Sequence, residues 1–224
     1  MAVELCESGM DLEAYGRGLL RGRLTRVRPL EEDDLAALAA WWDAPTWMAH
    51  QTLHVLPRPR VKTEEMFRSW SANGSATSVG FSIETISPTE LVGHVTLYGI
   101  DPVVRCGTLA VIIGAPHTDR GLGTDALRVM TRYAFEELGL NKVELRVWAD
   151  NPRAVHVYRR LGFALEGTRR AVGFHGGSFR DEHLMGLLAA EYRGAEYRGA
   201  EYRGAERRGV ERGGGECRAG EERA

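Results

Sequence analysis

The chain has 224 residues, enough for one domain of ordinary size and too few for two large ones. Hydrophobic residues make up 43% of it, and the formal net charge of -2 leaves no basic excess to attract a nucleic acid. The three cysteines form no paired motif, and no stretch approaches the ~20 apolar residues of a membrane span. We therefore expect a soluble, cytoplasmic protein with no nucleic-acid partner, no membrane segment and no metal site.

The two ends of the chain differ from its middle. Residues 1–22 show no sustained hydrophobic periodicity, which predicts a flexible extension. Residues 191–224 begin with three copies of Glu-Tyr-Arg-Gly-Ala, a five-residue period that fits neither a helix nor a strand. This tail is predicted to be disordered, with an interaction segment as the alternative. Residues 23–190 remain as the folded domain.

In the first half of the domain, hydrophobic spacing predicts two helices and three strands. The helices cover residues 31–43 and 63–72, with Thr63 as the N-cap of the second, and the segment between them is expected to be a loop because it contains three prolines. The strands cover residues 24–30, 78–86 and 91–97. A turn sequence at Ser87-Pro88-Thr89 favours antiparallel pairing of the last two.

The second half alternates strands and helices. The continuous apolar run 108–113 predicts a central strand buried on both faces, and an amphipathic helix follows Gly121. Residues 143–149 alternate as a strand, Asn151-Pro152 opens a short helix, and residues 163–188 contain two final strands. This order predicts an α+β fold, in which a mixed sheet is covered by helices.

Residues 112–124 carry the most informative local pattern, Ile-Ile-Gly-Ala-Pro-His-Thr-Asp-Arg-Gly-Leu-Gly-Thr. A buried strand leads into a glycine-containing loop that opens a long helix, and the first turn of a helix offers unpaired N–H groups to an anion. The third glycine of a dinucleotide-binding fingerprint is replaced by Ala126, and the Lys-Ser/Thr pair of a P-loop is absent. The loop thus indicates a phosphate-bearing ligand other than NAD or ATP, with a plain helix-start glycine as the alternative.

A second motif follows the next strand. Residues 151–163 read Asn-Pro-x-Ala-x-x-x-Tyr-x-x-x-Gly-Phe. Together with the glycine loop, this motif resembles the GNAT superfamily of N-acetyltransferases, and is most similar to the branch that contains the ribosomal-protein N-terminal acetyltransferases. The resemblance spans residues 24–188. It implies a mostly antiparallel mixed sheet whose two central parallel strands splay apart to admit acetyl-CoA.

The resemblance also implies roles for individual residues. Asn151 would hold the pantetheine arm, and Tyr158 would protonate the departing thiolate as general acid. A phenol with a pKa near 10 is a reasonable donor to a thiolate whose acid has a pKa of about 8.5, although a packed core tyrosine is the alternative. The arm would run along Ile112, Ile113 and Gly114, and the diphosphate would lie on the backbone of Thr118, Arg120, Gly121, Leu122, Gly123 and Thr124.

The sequence departs from the family pattern at two places. Thr118, followed by the acidic Asp119, stands where the family usually has Arg or Gln, which puts cofactor affinity in question. Relatives commonly carry a Glu at the position of Thr108, so a general base at that place would be missing. His94 on the preceding strand is the candidate replacement, with an exposed or core-edge histidine as the alternative.

The acceptor side is predicted from the region that covers the acceptor cleft in this superfamily. Its candidate residues are Trp42, Asp43, Trp47 and His50, with Phe174 from the last hairpin. A role of the tryptophans in the core is the alternative. We expect a small-molecule primary amine such as an amino sugar or polyamine, with a protein N-terminus or a catalytically silent acyl-CoA-binding module as alternatives. The chain is expected to be a monomer or homodimer.

Overall fold

The computed structural model describes residues 11–51 and 55–192. A seven-stranded sheet forms its centre, in the spatial order β1-β2-β3-β4-β5-β7-β6. The strands are β1 (Thr25–Arg28), β2 (Val79–Thr85), β3 (Leu91–Asp101), β4 (Cys106–Ile113), β5 (Lys142–Trp148), β6 (Ala164–His175) and β7 (Ser178–Leu188). Neighbours pair antiparallel except β4 and β5, which are parallel. The predicted mixed, mostly antiparallel sheet is confirmed.

Helices cover both faces of this sheet. They are α1 (Leu12–Leu19), α2 (Leu35–Trp42), α3 (Pro45–Gln51), α4 (Arg60–Trp70), α5 (Leu122–Glu136) and α6 (Pro152–Arg160). Short 3₁₀ turns cover Glu32–Asp34 and Ala115–His117. None of the helices in the described part of the chain is long and apolar enough to cross a membrane.

The helices on the two faces of the sheet pack into two different hydrophobic clusters. The larger one joins the sheet to α5, and residues of α6 pack against it. The smaller one joins α2 and α4 to the other face. Strand β4 contributes Leu109 and Ile113 to the larger cluster and Ile112 to the smaller one. This is the central strand buried on both faces that the apolar run predicted.

The N-terminal segment is held by α5. Helix α1 was not predicted, because residues 1–22 lack a long hydrophobic period; its N-cap Asp11 accepts hydrogen bonds from the N–H groups of Glu13 and Ala14. Arg132 donates to the carbonyls of Gly18, Leu19 and Arg21 near the end of α1. The buried Asp125 accepts from the N–H groups of residues 23–25, and these hydrogen bonds help keep the pKa of its carboxyl below the usual value despite burial. These contacts are tertiary, and a local sequence pattern does not reveal them.

The predicted loop between the first two long helices contains α3. Pro45 occupies its first position, where a missing N–H costs nothing, so the proline starts a helix instead of breaking one. The prediction of Thr63 as an N-cap is wrong: α4 begins three residues earlier, after Pro59. Thr63 is buried inside the helix, and its hydroxyl donates to Asp43 at 2.9 Å.

Packed structure extends two residues past the predicted end of the domain, to Tyr192. Glu191 accepts a hydrogen bond from the N–H of Leu188, and the Tyr192 hydroxyl donates to Glu136 at 2.9 Å. The Tyr192 ring lies 5.0 Å from Phe135, centroid to centroid. The first tyrosine of the repeat thus packs against α5. The remainder of the predicted tail, residues 193–224, and residues 1–10 of the predicted extension lie outside the described residues.

Candidate active site

The two central strands part partway along their length. Their paired register covers Cys106–Thr108 on β4 and Lys142–Glu144 on β5, and ends there. On its other side, β4 stays paired with β3 as far as Ile113, and the N–H of Gly114 donates to Val92. Because backbone groups alternate along a strand, Leu109, Val111 and Ile113 direct theirs to the side from which β5 has withdrawn. A groove with an unpaired backbone edge results, as the resemblance predicted.

Helix α5 begins at the end of this groove. Gly121 is its N-cap and adopts a left-handed φ of 77°, which favours glycine. The first helical hydrogen bond runs from the N–H of Asp125 to the carbonyl of Gly121, and no side chain caps the helix start within the described chain. The N–H groups of Leu122, Gly123 and Thr124 therefore donate no hydrogen bond within the helix, and they form the positive end of its dipole. This is an anion-binding geometry.

Close contacts fix the helix start and the strand end to their surroundings. A β-carbon at Gly123 would lie 3.1 Å from Cγ1 of Ile113, so this glycine lets α5 approach β4. A β-carbon at Gly114 would lie 2.5 Å from Cε2 of Trp41. The indole ring of Trp41 is also 5.5 Å from the ring of His117, centroid to centroid.

Helix α6 brings Asn151 and Tyr158 to the face that carries α5. Asn151 is the N-cap, and its side-chain oxygen accepts from the N–H of Ala154 at 3.1 Å. The cap that the sequence predicted is confirmed, and the contact of Asn151 with the pantetheine stays a prediction. Tyr158 is half-buried against the larger cluster, with Phe163 at 6.1 Å between centroids. Burial alone raises the pKa of its phenol to about 12.

The loop before α5 carries the acid that departs from the family pattern. Asp119 has a left-handed φ of 61°, and its carboxylate lies 3.1 Å from the guanidinium of Arg153 in the first turn of α6. Arg120 lies 3.5 Å from Nδ1 of His117. The Thr118 hydroxyl donates to the carbonyl of Ala115 at 3.1 Å. The loop and α6 are thus joined across the mouth of the groove.

His94, the predicted catalytic replacement, lies on the opposite face of the sheet from Tyr158. Its side chain is 1% exposed, packs against Phe67 at 5.2 Å, and shares a hydrogen bond of 2.7 Å with the Ser71 hydroxyl. Burial lowers the pKa of its imidazole to about 4. This environment favours a neutral core histidine that takes no part in proton transfer.

The predicted acceptor residues divide between core and surface. Trp42 packs in the core against Phe67 and Trp70, at 6.1 and 5.3 Å between centroids. Asp43 is half-buried at the end of α2, where it accepts from Thr63. Trp47 and His50 lie together on α3, 6.4 Å apart. Trp47 is partly buried against the smaller cluster, with its Nε1 buried. The alternative of a core tryptophan therefore applies to Trp42 and in part to Trp47, and Trp41 is the tryptophan that touches the strand end.

Phe174 lies at the tip of the β6–β7 hairpin. It is 53% exposed and 5.1 Å from Phe179. Near the same tip, Arg180 donates to Asp150 at 2.8 Å and to the carbonyl of Ala49 at 3.4 Å. Arg180 also covers the ring of Trp148 at 5.3 Å. It therefore connects β7 with α3 and with the turn after β5.

Sequence reasoning placed Trp41 in the aromatic cluster near the acceptor cleft without predicting its contact with the strand end, and it did not select Arg153 or Arg180. Their partners Gly114, Asp119 and Asp150 are 73, 34 and 30 positions away in the chain. The spacing of Trp41 from Gly114 carries no local signal. Within the described residues, His, Cys, Asp and Glu form no group of three or more that could hold a metal ion.

A gap between parallel strands with an anion-binding helix start at its end is the arrangement that the resemblance to the N-acetyltransferases implied for binding of acetyl-CoA. The chain belongs to the GNAT acetyltransferases: the family model for an acetyltransferase (GNAT) domain matches residues 24–164. The fold, the class of enzyme and the cofactor acetyl-CoA that the sequence predicted are thereby confirmed.

Named relatives support the same assignment. The chain is 34% identical to spermidine N(1)-acetyltransferase of Escherichia coli K12 over 176 residues, which cover 75% of this chain and 87% of that protein. It is 33% identical to a putative ribosomal N-acetyltransferase of Bacillus subtilis, over 46% of this chain and 57% of the relative. The fold is similar to spermidine N-acetyltransferase from Vibrio cholerae in complex with CoA and spermine, with a TM-score of 0.68, 26% identity, and coverage of 75% and 97%. The expected monomer or homodimer stays a prediction.

Proposed function

We propose that this enzyme transfers the acetyl group of acetyl-CoA to a primary amine of a small molecule, and that polyamines are the first class to test. The observation that carries the transfer is the parting of β4 and β5 beyond Thr108, which leaves a backbone edge for the cofactor. The similarity to a spermidine acetyltransferase over 75% of the chain supports the acceptor class.

Hydrogen bonds from the protein backbone would hold the cofactor. Its diphosphate would accept from the N–H groups of residues 122–124, and its pantetheine amides would pair with the edge at Val111 and Ile113. Backbone donors are fixed by the fold and need little reorganisation when the ligand arrives. A phosphate-bearing thioester is held in this way without a lysine, which agrees with the lack of one in the loop.

The reaction would be a direct attack. The neutral amine adds to the thioester carbonyl, a tetrahedral oxyanion forms, and an N–H on the open edge of β4 donates to it. The carbon–sulfur bond then breaks, and CoA leaves as a thiolate. Tyr158 would give this thiolate its proton: it packs against the cluster on the face of the sheet that carries α5, and its phenol, whose pKa burial raises to about 12, is protonated at neutral pH. The nitrogen loses its extra proton to solvent, and solvent returns one proton to the Tyr158 phenolate, so the enzyme regains its starting state.

The acceptor would lie between α3 and the tip of the β6–β7 hairpin. Arg180 draws these elements together through its contacts with Asp150 and the carbonyl of Ala49. Trp47 and His50 supply ring faces on α3, and aromatic faces attract cations. Asp43 supplies a carboxylate that has only a neutral hydroxyl as its partner among the described residues, so its charge remains available to a second ammonium group.

Release of free thiol from acetyl-CoA tests this function, with spermidine, spermine, an amino sugar, a free amino acid and a ribosomal-protein N-terminal peptide as acceptors. We expect a kcat/KM for a polyamine at least ten times that for the other acceptors. A preference for the peptide would establish the protein N-terminal reaction instead. Tight binding of CoA with no turnover of any amine would establish the silent module and contradict the proposal.

A further inference from the structure

The ion pair between Asp119 and Arg153 lies at the entrance of the cofactor groove. Asp119 precedes the helix start by two residues, and Arg153 is at the second position of α6. Their charged atoms are 3.1 Å apart, although the residues belong to different elements. Both side chains are solvated: Arg153 is 59% exposed and Asp119 is 76% exposed.

Both residues of this ion pair have a locally unfavourable placement: Asp119 in its backbone conformation and Arg153 in its position on the helix. Asp119 has a φ of 61°, a region that L residues other than Asn and Asp seldom adopt. Arg153 puts a positive charge in the first turn of α6, which has no acidic residue, and the helix dipole disfavours a cation there. An anion beside Arg153 offsets the unfavourable interaction of its charge with the helix dipole. In the unliganded protein that anion is Asp119.

A phosphate group satisfies Arg153 better than Asp119 does. Guanidinium and phosphate make paired, charge-assisted hydrogen bonds, whereas an exposed ion pair contributes little stability and is easily broken. A cofactor bound in the groove would place its phosphates at the same loop, where the N–H groups of residues 122–124 have no acceptor within the helix. Asp119 would then stand beside those phosphates as a like charge.

We propose that Arg153 binds a phosphate of CoA and that Asp119 competes for it. When the cofactor enters, Arg153 exchanges the carboxylate for the phosphate, so Arg153 raises the affinity for CoA and Asp119 lowers it. This inference rests on the proposed cofactor site. It accounts for the acid in the loop, which acts as an internal counter-ion that CoA displaces.

Calorimetric titration of the full-length protein with CoA, at one moderate salt concentration, tests the exchange. Asp119→Asn should lower the Kd by about three- to tenfold, because the competing charge is removed while Asn still tolerates the left-handed φ. Arg153→Ala should raise the Kd by about tenfold or more. In the Arg153→Ala background, Asp119→Asn should have a clearly smaller effect, since the cation for which Asp119 competes is gone.

Glu13→Gln is the matched control. Glu13 forms an ion pair of the same 3.1 Å length with Arg17, at 69% and 87% exposure on α1, and its substitution changes the net charge by the same amount. It should leave the Kd for CoA unchanged. If Glu13→Gln lowers the Kd as much as Asp119→Asn does, the effect is one of net charge and the exchange is refuted.

A second titration, with 3′-dephospho-CoA, identifies the phosphate. If the penalty of Arg153→Ala persists, the partner is the diphosphate; if it disappears, the partner is the 3′-phosphate, and either result supports the exchange. An Arg153→Ala variant with the wild-type melting temperature and the wild-type Kd for CoA overturns it, as does an equal effect of Asp119→Asn in both backgrounds. A wild-type protein that fails to bind CoA contradicts the proposed function itself.

Discussion

The indole ring of Trp41 lies on Gly114, so closely that a β-carbon at Gly114 would be 2.5 Å from Trp41 Cε2. This contact joins α2 to the end of β4, where the groove between the parallel strands reaches the phosphate loop. It also explains why glycine follows the strand, since Gly114 has no left-handed φ that would require it.

Gly114→Ala should lower the free energy of unfolding by about 1–3 kcal/mol, because the added methyl group overlaps the Trp41 ring. Urea unfolding measures the loss. Gly167→Ala is the control, since a β-carbon there meets no atom within 4 Å. Gly114→Ala should cost less stability in a Trp41→Ala background than in the wild type, because the ring that the methyl group overlaps is then absent. An equal cost in both backgrounds would place the strain elsewhere.

Tyr158→Phe should reduce kcat by about 10- to 1,000-fold, the range for loss of one proton-transfer group. The Kd for CoA should change little, because the proposed cofactor site holds the diphosphate through the backbone of residues 122–124 and not through this phenol. Steady-state kinetics and CoA titration give both values. Tyr133→Phe is the control, since burial also raises the pKa of this phenol on α5. An unchanged kcat in Tyr158→Phe would remove it as the general acid.

The raised pKa of Tyr158 also predicts how kcat depends on pH. Burial raises the pKa of Tyr158 to about 12, so the phenol keeps its proton through the neutral and mildly alkaline range. The kcat for a saturating amine should therefore show no decline between pH 7 and about 10 that depends on Tyr158. A decline in this range that Tyr158→Phe abolishes would mean that the phenol titrates at a lower pH in the complex with substrate.

His94→Gln separates a structural histidine from a catalytic one. The pKa of His94 is lowered from 6.5 to about 4 by burial, so between these values the unfolded chain binds a proton that the folded chain does not. The free energy of unfolding should fall with decreasing pH across this window, by up to about 3 kcal/mol from this residue. His94→Gln should lack that component when urea unfolding is followed from pH 7.5 to 4.5.

The activity of the folded His94→Gln protein completes the comparison. We expect its kcat/KM at pH 7.5 to stay within about threefold of the wild type, because His94 contributes packing and not a proton transfer. A hundredfold loss in a variant with normal stability would instead establish His94 as a base and contradict the core role.

Two truncations test where the folded unit ends. Removal of residues 193–224 should leave the melting temperature unchanged, because the repeat composition predicts no packed structure there. Removal from residue 191 onward also deletes Tyr192, whose ring lies on Phe135 and whose hydroxyl binds Glu136. The shorter protein should lose about 1 kcal/mol or more of stability. Equal melting temperatures would show that Tyr192 contributes nothing.

Local patterns predicted the elements that form the groove. The apolar run of β4, the alternation of β5 and the Asn-Pro start of α6 each depend on neighbours within a few positions, and each is present. The prolines of residues 45–59 favour a loop in the sequence, whereas Pro45 suits the first position of α3. The burial of Thr63 against Asp43 depends on a tertiary contact, which its local pattern does not reveal.

By itself, the sequence determined the sheet elements, the glycine-bearing helix start and the family, because hydrophobic periods and short motifs are written within single segments. Tertiary structure decided which tryptophan touches β4, why His94 is neutral, and which cation pairs with Asp119. Those choices depend on how segments distant in the chain pack against one another, and burial and charge pairing are properties of that packing.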